Sequence, residues 1–208
     1  MRYHLLGDSP EEAKAPAPPD KYKWARIVAF VLFPNLGGWA GALLSASDFT
    51  WYNENIHKPS WSPPSYVFGL VWSVVYSLMG GASWVVYQKL HSSYRLPAIV
   101  LYLVQLGVNW LWTPVFFSLR SILGGLILLT LLDMLVIATI VMFFFVDYLA
   151  GGLIAPYIVW GIFALALNSE IYRLNPTGGT CDELTASIVP PPAAGIPPIY
   201  SADGFDYI

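Results

Sequence analysis

The chain has 208 residues, of which 56% are hydrophobic and only 11% charged, less than half the roughly 25% typical of a soluble domain. The formal net charge of −3 leaves no electrostatic footprint for nucleic acid. A single cysteine, Cys181, excludes an intrachain disulfide and a cysteine-held metal cluster.

Residues 1–23 carry Asp8, Glu11, Glu12, Lys14 and Asp20 among several prolines. They read as a disordered N-terminal tail. The segment is neither a secretory signal nor an Arg-rich, acid-poor transit peptide. From residue 24 to 174 five stretches are apolar over about 20 residues, the length of a transmembrane helix. They run from Trp24 to Ala46, Tyr66 to Gln88, Pro97 to Leu119, Ile122 to Val146 and Gly151 to Ile171. Helix is the expectation for each, because an open strand cannot satisfy its backbone in lipid. The fold class is therefore an all-α membrane protein, a five-transmembrane-helix bundle with disordered terminal tails. The histidines His4, His57 and His91 lie outside the apolar runs, which argues against a haem held between helices. No cofactor or metal is expected. Lys21, Lys23, Arg26, Lys89 and Arg95 fall on one side of the spans, and Lys58, Arg120 and Arg173 on the other. The positive-inside rule then places the N-terminus in the cytoplasm.

The first two spans are joined by the one long connection, Ser47 to Pro64. It carries Trp51, Lys58, Pro59, Trp61, Pro63 and Pro64. Aromatic rings with a polar handle suit a membrane interface, and prolines stiffen the chain. A long, stiff, aromatic loop beside a span reads as a lid over an apolar ligand. Gly37 and Gly41 in the first span have the Gly-x-x-x-Gly spacing of closely packed membrane helices; contact within one subunit is favoured. No internal repeat supports an alternating-access transporter. From about Asn175 the chain turns polar and proline-rich, and residues 175–208 read as a disordered C-terminal tail. There Pro197-Pro198-Ile199-Tyr200 has the form of a WW-domain ligand; the alternative is a solvated tail.

Four motifs then follow in order. Trp51-Tyr52 precedes Lys58-Pro59-Ser60-Trp61-Ser62-Pro63-Pro64. Trp72 and Tyr76 precede Met79-Gly80. Gln105 precedes Asn109-Trp110, Trp112, Pro114 and Phe116-Phe117. Pro156-Tyr157 precedes Trp160, Ala164, Leu167-Asn168 and Arg173. Across about residues 26 to 174 this series closely resembles the translocator protein family, also called tryptophan-rich sensory protein or peripheral benzodiazepine receptor. The resemblance implies five tilted helices around one apolar pocket closed by the first loop. It implies cholesterol or porphyrin ligands such as protoporphyrin IX, and it implies homodimers. It also implies the outer mitochondrial membrane for a eukaryotic chain and the cell envelope for a bacterial one.

The resemblance further places Trp72, Tyr76, Asn109, Trp112, Trp160, Ala164 and Leu167 at the ligand. Indoles offer large rigid faces to a planar ring system. For Asn109 two readings stand: an interhelical hydrogen bond or a hydrogen bond near the ligand head. Gln105, one turn away, is read as structural, and Pro114 as a kink. Gly124 stands where mammalian members carry a pocket tryptophan, which implies a wider pocket floor. The glycine pair of the mammalian dimer contact is replaced by Val100 and Val104. Ser169 and Glu170 depart from the family's cholesterol motif, and Tyr172 directly adjoins Arg173. Asp133 is central to span four, where an ionisable side chain costs at least ~2.5 kcal/mol on insertion scales. It reads as a carboxyl bonded to a neighbouring helix, or as a polar ligand site or dimer contact. The leading function is a membrane binding protein or translocator for a planar apolar metabolite. The alternative is light- and oxygen-dependent porphyrin degradation by the pocket tryptophans, as reported for some bacterial relatives. The spans hold no nucleophile–base pair, so an enzyme working in the dark is not expected and no catalytic residue is assigned.

Overall fold

The computed structural model describes residues 21–176. Most of both tail readings, with Cys181 and the Pro197–Tyr200 motif, lies outside the described residues; of the expected tails, Lys23 opens the first helix and Asn175 is hydrogen-bonded. Within the described residues the chain forms seven α-helices: α1 Lys23–Leu44, α2 Phe49–Asn55, α3 Ser65–Gln88, α4 Arg95–Thr113, α5 Ile122–Val146, α6 Tyr148–Ile154 and α7 Pro156–Leu174. Five spans result, because α4 continues through a wide turn to Ser118 and α6 leads straight into α7. The shortest, α1, has 22 residues, about 33 Å of helix against a hydrocarbon core of about 30 Å. The lipid-facing side is visible on α1, where Val28, Leu32, Leu36 and Leu43 are exposed. Such a stripe suits hydrocarbon and not water.

The expected spans are present, with shifted ends. The largest shift is in the fifth, which begins at Tyr148 and is interrupted at Ala155. Pro156 has no N–H to give the preceding turn, so a helix restarts there with proline at its first position. In the third span Pro114 produces more than a kink. Residues Pro114–Ser118 widen into a π turn, and the Leu119 N–H donates to the Pro114 carbonyl at 2.9 Å. The turn buries the consecutive rings Phe116 and Phe117. The hairpin into α5 is tight enough to hold Arg120 at φ 49°.

Going round the bundle, α1 packs on α3 and α4, α3 on α6, and α5 on α4, α6 and α7. In lipid the hydrophobic effect does not drive helices together, so close backbone approach must. Glycines supply it. Gly37 lies against the Trp110 indole, Gly38 against the Tyr76 ring, and a Cβ on Gly41 would lie 3.6 Å from Thr113. The Gly37/Gly41 spacing therefore serves packing within the subunit. Gly80 meets the Phe30 carbonyl and the Val31 Cα of α1. That carbonyl is the one Pro34, inside α1, cannot bond, since proline lacks the N–H. Val100 and Val104 are exposed on α4.

At the bundle end opposite the Ser47–Pro64 connection, Lys89 and Asp147 form an ion pair at 2.5 Å. The Asp147 carboxylate also caps α6, accepting from the Leu149 N–H at 2.8 Å and the Ala150 N–H at 3.3 Å. The hydrogen bond from Lys89 is the main reason its pKa is lowered. A depressed carboxylate adds stability that is present above the unfolded value, about 3.9, and lost as pH falls through the folded one. Asp147→Ala is therefore expected to cost about 1 kcal/mol at pH 7, the worth of an N-cap, and less at pH 3. Thermal unfolding in detergent at the two pH values measures the difference.

Candidate functional site

A cavity of about 270 Å³ lies between α1, α3, α4, α5 and α7 under α2. Its size is just below the usual ligand-pocket range of roughly 300–1,000 Å³. Trp72 and Tyr76 of α3 form one wall, Asn109, Trp112 and Thr113 of α4 another, and Ala164, Leu167 and Asn168 of α7 a third. Gly38 and Ala42 of α1 and Leu129 and Leu132 of α5 complete it, with Phe49 and Tyr52 from above. None of the lining residues is a carboxylate, lysine, arginine or histidine, so the chamber is apolar and uncharged.

Six of the seven expected pocket residues line this cavity: Trp72, Tyr76, Asn109, Trp112, Ala164 and Leu167. Trp160 stands one ring behind. Its indole meets Trp72 edge-on at 6.2 Å, takes the edge of Phe68 at 5.8 Å and stacks on Phe163 at 5.1 Å. Gly124 is not part of the cavity wall either. It lies at the N-cap of α5, where its N–H donates to Ser121 Oγ at 3.1 Å. The space left by its missing side chain faces Ser121 and Val115, not the chamber.

The Asn109 amide is fully engaged between helices. The Tyr76 hydroxyl donates to its Oδ1, and its Nδ2 donates to the Tyr157 hydroxyl. This bridge ties α3, α4 and α7 together at the chamber wall. Gln105 is fully buried, and its amide has no hydrogen-bond partner among the described residues. Asp133 is buried too and faces Gly161 of α7. The hydrogen bond expected for its carboxyl is not formed among the described residues. Its side chain lies neither on the cavity wall nor on the lipid-facing surface.

The connection above the cavity is more ordered than a loop. Residues Ala46–Asp48 form a 3-10 turn and Phe49–Asn55 a helix. Trp51, Tyr52 and Ile56 are buried there against Phe116, Phe117, Ile122, Leu167 and Ile171. The Tyr52 ring meets Phe116 at 5.9 Å and Phe117 at 5.6 Å, and burial raises its hydroxyl pKa. The Lys58 ammonium sits 4.3 Å over the Tyr52 ring and donates to Asn53 Oδ1 at 3.1 Å. Desolvation lowers its pKa. Pro59 is buried, its carbonyl accepts from the Ser62 N–H at 3.0 Å, and Pro64 caps α3. Pro63 is half-buried, and Trp61 is half-exposed with its ring against Phe163 at 5.9 Å.

A clasp holds this segment down. Asn175 Oδ1 accepts from the His57 N–H at 3.0 Å, and its Nδ2 donates to the His57 carbonyl at 2.9 Å and the Ile171 carbonyl at 2.7 Å. Asn175 is the residue at which the polar tail was expected to begin. The sequence reading missed its role because nothing local shows a partner 118 positions away. Asn175→Ala is expected to speed hydrogen exchange of residues 56–62 about tenfold, the loss of one or two hydrogen bonds. The α3 core should be unaffected. Unchanged exchange in this segment would show that packing alone holds it.

A profile of the TspO/MBR family matches residues 30–173. The chain is 37% identical over 163 residues to the human translocator protein, covering 76% of this chain and 93% of that protein. It is 40% identical over 140 residues to protein CrtK of Rhodobacter capsulatus, covering 67% and 86%. It is 38% identical over 152 residues to the tryptophan-rich sensory protein of Cereibacter sphaeroides, covering 73% and 92%. With five apolar spans and these matches over most of both chains, this multi-pass integral membrane protein belongs to the TspO/MBR family.

Proposed function

We propose that the chain binds a planar, apolar metabolite, a sterol such as cholesterol or a porphyrin such as protoporphyrin IX, inside the bundle. The observation that carries this reading is the uncharged aromatic chamber under a clasped cover. Trp72 and Trp112 line it with large rigid indoles. The small side chain of Ala164 lets a rigid ring system approach the α7 backbone. In this reading Trp51, Lys58, Pro59, Trp61, Pro63 and Pro64 work as the lid assembly, and Trp160 positions Trp72 from behind. A sterol or macrocycle needs more room than the closed cavity gives, so α2 must yield when the ligand enters. A ligand dissolved in the bilayer reaches such a site without crossing water.

The contact between Trp72 and Trp160 at 6.2 Å also favours a second reading, in which the indole pair takes part in light-dependent porphyrin turnover. One experiment separates them. Purified protein is titrated with protoporphyrin IX and cholesterol by tryptophan quenching, in the dark and under illumination. Saturable quenching weakened about tenfold in Trp72→Ala, with the porphyrin unchanged, is the expected result. Illumination-dependent loss of porphyrin that disappears in Trp72→Phe or Trp160→Phe would establish turnover. No saturable binding of either ligand would overturn the binding reading.

A further inference from the structure

We propose that Asn168, not Asn109, is the hydrogen-bonding anchor of this cavity, and that it selects a hydroxyl-bearing polycycle over a ketone or a hydrocarbon of the same shape. The inference rests on the binding reading above and adds the chemistry of the ligand's polar end. Two amides reach the cavity wall. Asn109 spends its oxygen on Tyr76 and its nitrogen on Tyr157. Asn168 spends neither: it is 3% exposed, and both Oδ1 and Nδ2 lack a partner among the described residues.

The surroundings show why this amide stays open. Asn168 sits beside Trp112 at a notch made by Gly125 of α5. A Cβ at Gly125 would lie 3.2 Å from Asn168 Nδ2 and 3.3 Å from Trp112 Nε1. The Trp112 indole N–H is committed to the Gly125 carbonyl at 3.1 Å. The neighbours that could satisfy Asn168 are therefore apolar or already bonded. A buried polar group without a partner is costly, and native folds rarely keep one without use. Asn168 lies seven residues, about 10 Å, before Asn175 on the same helix. A ligand group held there is well beneath the clasp.

An amide offers one acceptor and a two-hydrogen donor. A hydroxyl can donate to the first or accept from the second. A ketone can only accept, and a hydrocarbon does neither. An ionised carboxylate could accept from Nδ2, but the chamber holds no cation to pair with it, and burying an unpaired charge is strongly disfavoured.

The test uses full-length protein in nanodiscs and three probes of one shape: cholestanol, its 3-ketone cholestanone, and cholestane. Tryptophan quenching reads their affinities. The expected order is alcohol, ketone, hydrocarbon, with the alcohol about tenfold tighter than the hydrocarbon. In Asn168→Leu the three should converge on the hydrocarbon's affinity. Gly125→Ala keeps the amide but crowds it. It also presses on the buried Phe116 ring, 2.7 Å from the added Cβ, so Asn168→Ala is the second variant: it removes the amide without adding volume and should erase the alcohol preference even if Asn168→Leu does not fold. Saturable binding of all three probes with no preference in the unaltered protein would overturn the inference and leave the binding reading standing. So would a preference that survives both variants. If no probe binds the unaltered protein, the sterol arm of the binding reading falls, and the inference with it.

Discussion

Asn109→Leu is expected to destabilise the protein by about 2–6 kcal/mol, because it strands two buried hydroxyls at roughly 1–3 kcal/mol each. Tyr76 and Tyr157 come from different helices, and their hydroxyls are joined through this amide. Both are buried, so the lost partner is not replaced by bulk water. The triple variant Tyr76→Phe, Asn109→Leu, Tyr157→Phe should recover most of the loss. Removing all members of a polar network leaves no unpaired group, and hydrophobic packing replaces it. Thermal unfolding of the single and triple variants in one detergent measures both effects. A stable Asn109→Leu protein that had lost ligand affinity would instead mark the amide as a ligand contact.

The second large effect is expected at Gly80. A side chain there points at the Phe30 carbonyl and the Val31 Cα. These are backbone atoms and cannot rotate aside, so α1 and α3 must separate. Gly80→Val should cost about 3 kcal/mol or more, beyond the usual range for overpacking. Gly107→Val is the control. A Cβ at Gly107 meets nothing within 4 Å, and valine is a slightly better helix former than glycine. That variant should unfold at or slightly above the temperature of the unaltered protein. Equal effects at the two positions would mean that α1 is held by something other than its contact with α3.

These two sites differ in how far the sequence reveals them. Asn109 stands out as an amide in an apolar run, and the requirement for a partner follows from lipid chemistry. Which partner it takes does not. Tyr76 is 33 positions away and Tyr157 is 48 positions away. Asn168 sends the same local signal as Asn109, an amide within an apolar span, yet its amide ends without a partner. Gly80 sits in a motif of the chain, but only the meeting of α1 with α3 shows that it receives a backbone carbonyl. The helix α2 was invisible for a related reason. Residues 49–55 include Thr50, Asn53, Glu54 and Asn55 and read as part of the long aromatic loop. Burial of Trp51 and Tyr52 on Phe116 and Phe117 holds the turn in place.

The sequence by itself determined the solvent, the number of spans and the family. Those depend on local quantities: runs of about 20 apolar residues, the scarcity of charge, and motifs at fixed spacing. Pro114 marked a backbone irregularity as well, because a missing N–H acts at its own position whatever surrounds it. The tertiary structure decided which groups spend their hydrogen bonds on one another and which keep them. It placed Trp160 behind Trp72, turned Gly37 and Gly41 onto α4, and moved Gly124 out of the chamber. It also tied the lid segment to Asn175. Each of these is a meeting of residues from different helices, and no local pattern encodes it. Hydrogen bonds and close packing act over a few ångströms, so their partners exist only once the helices have met.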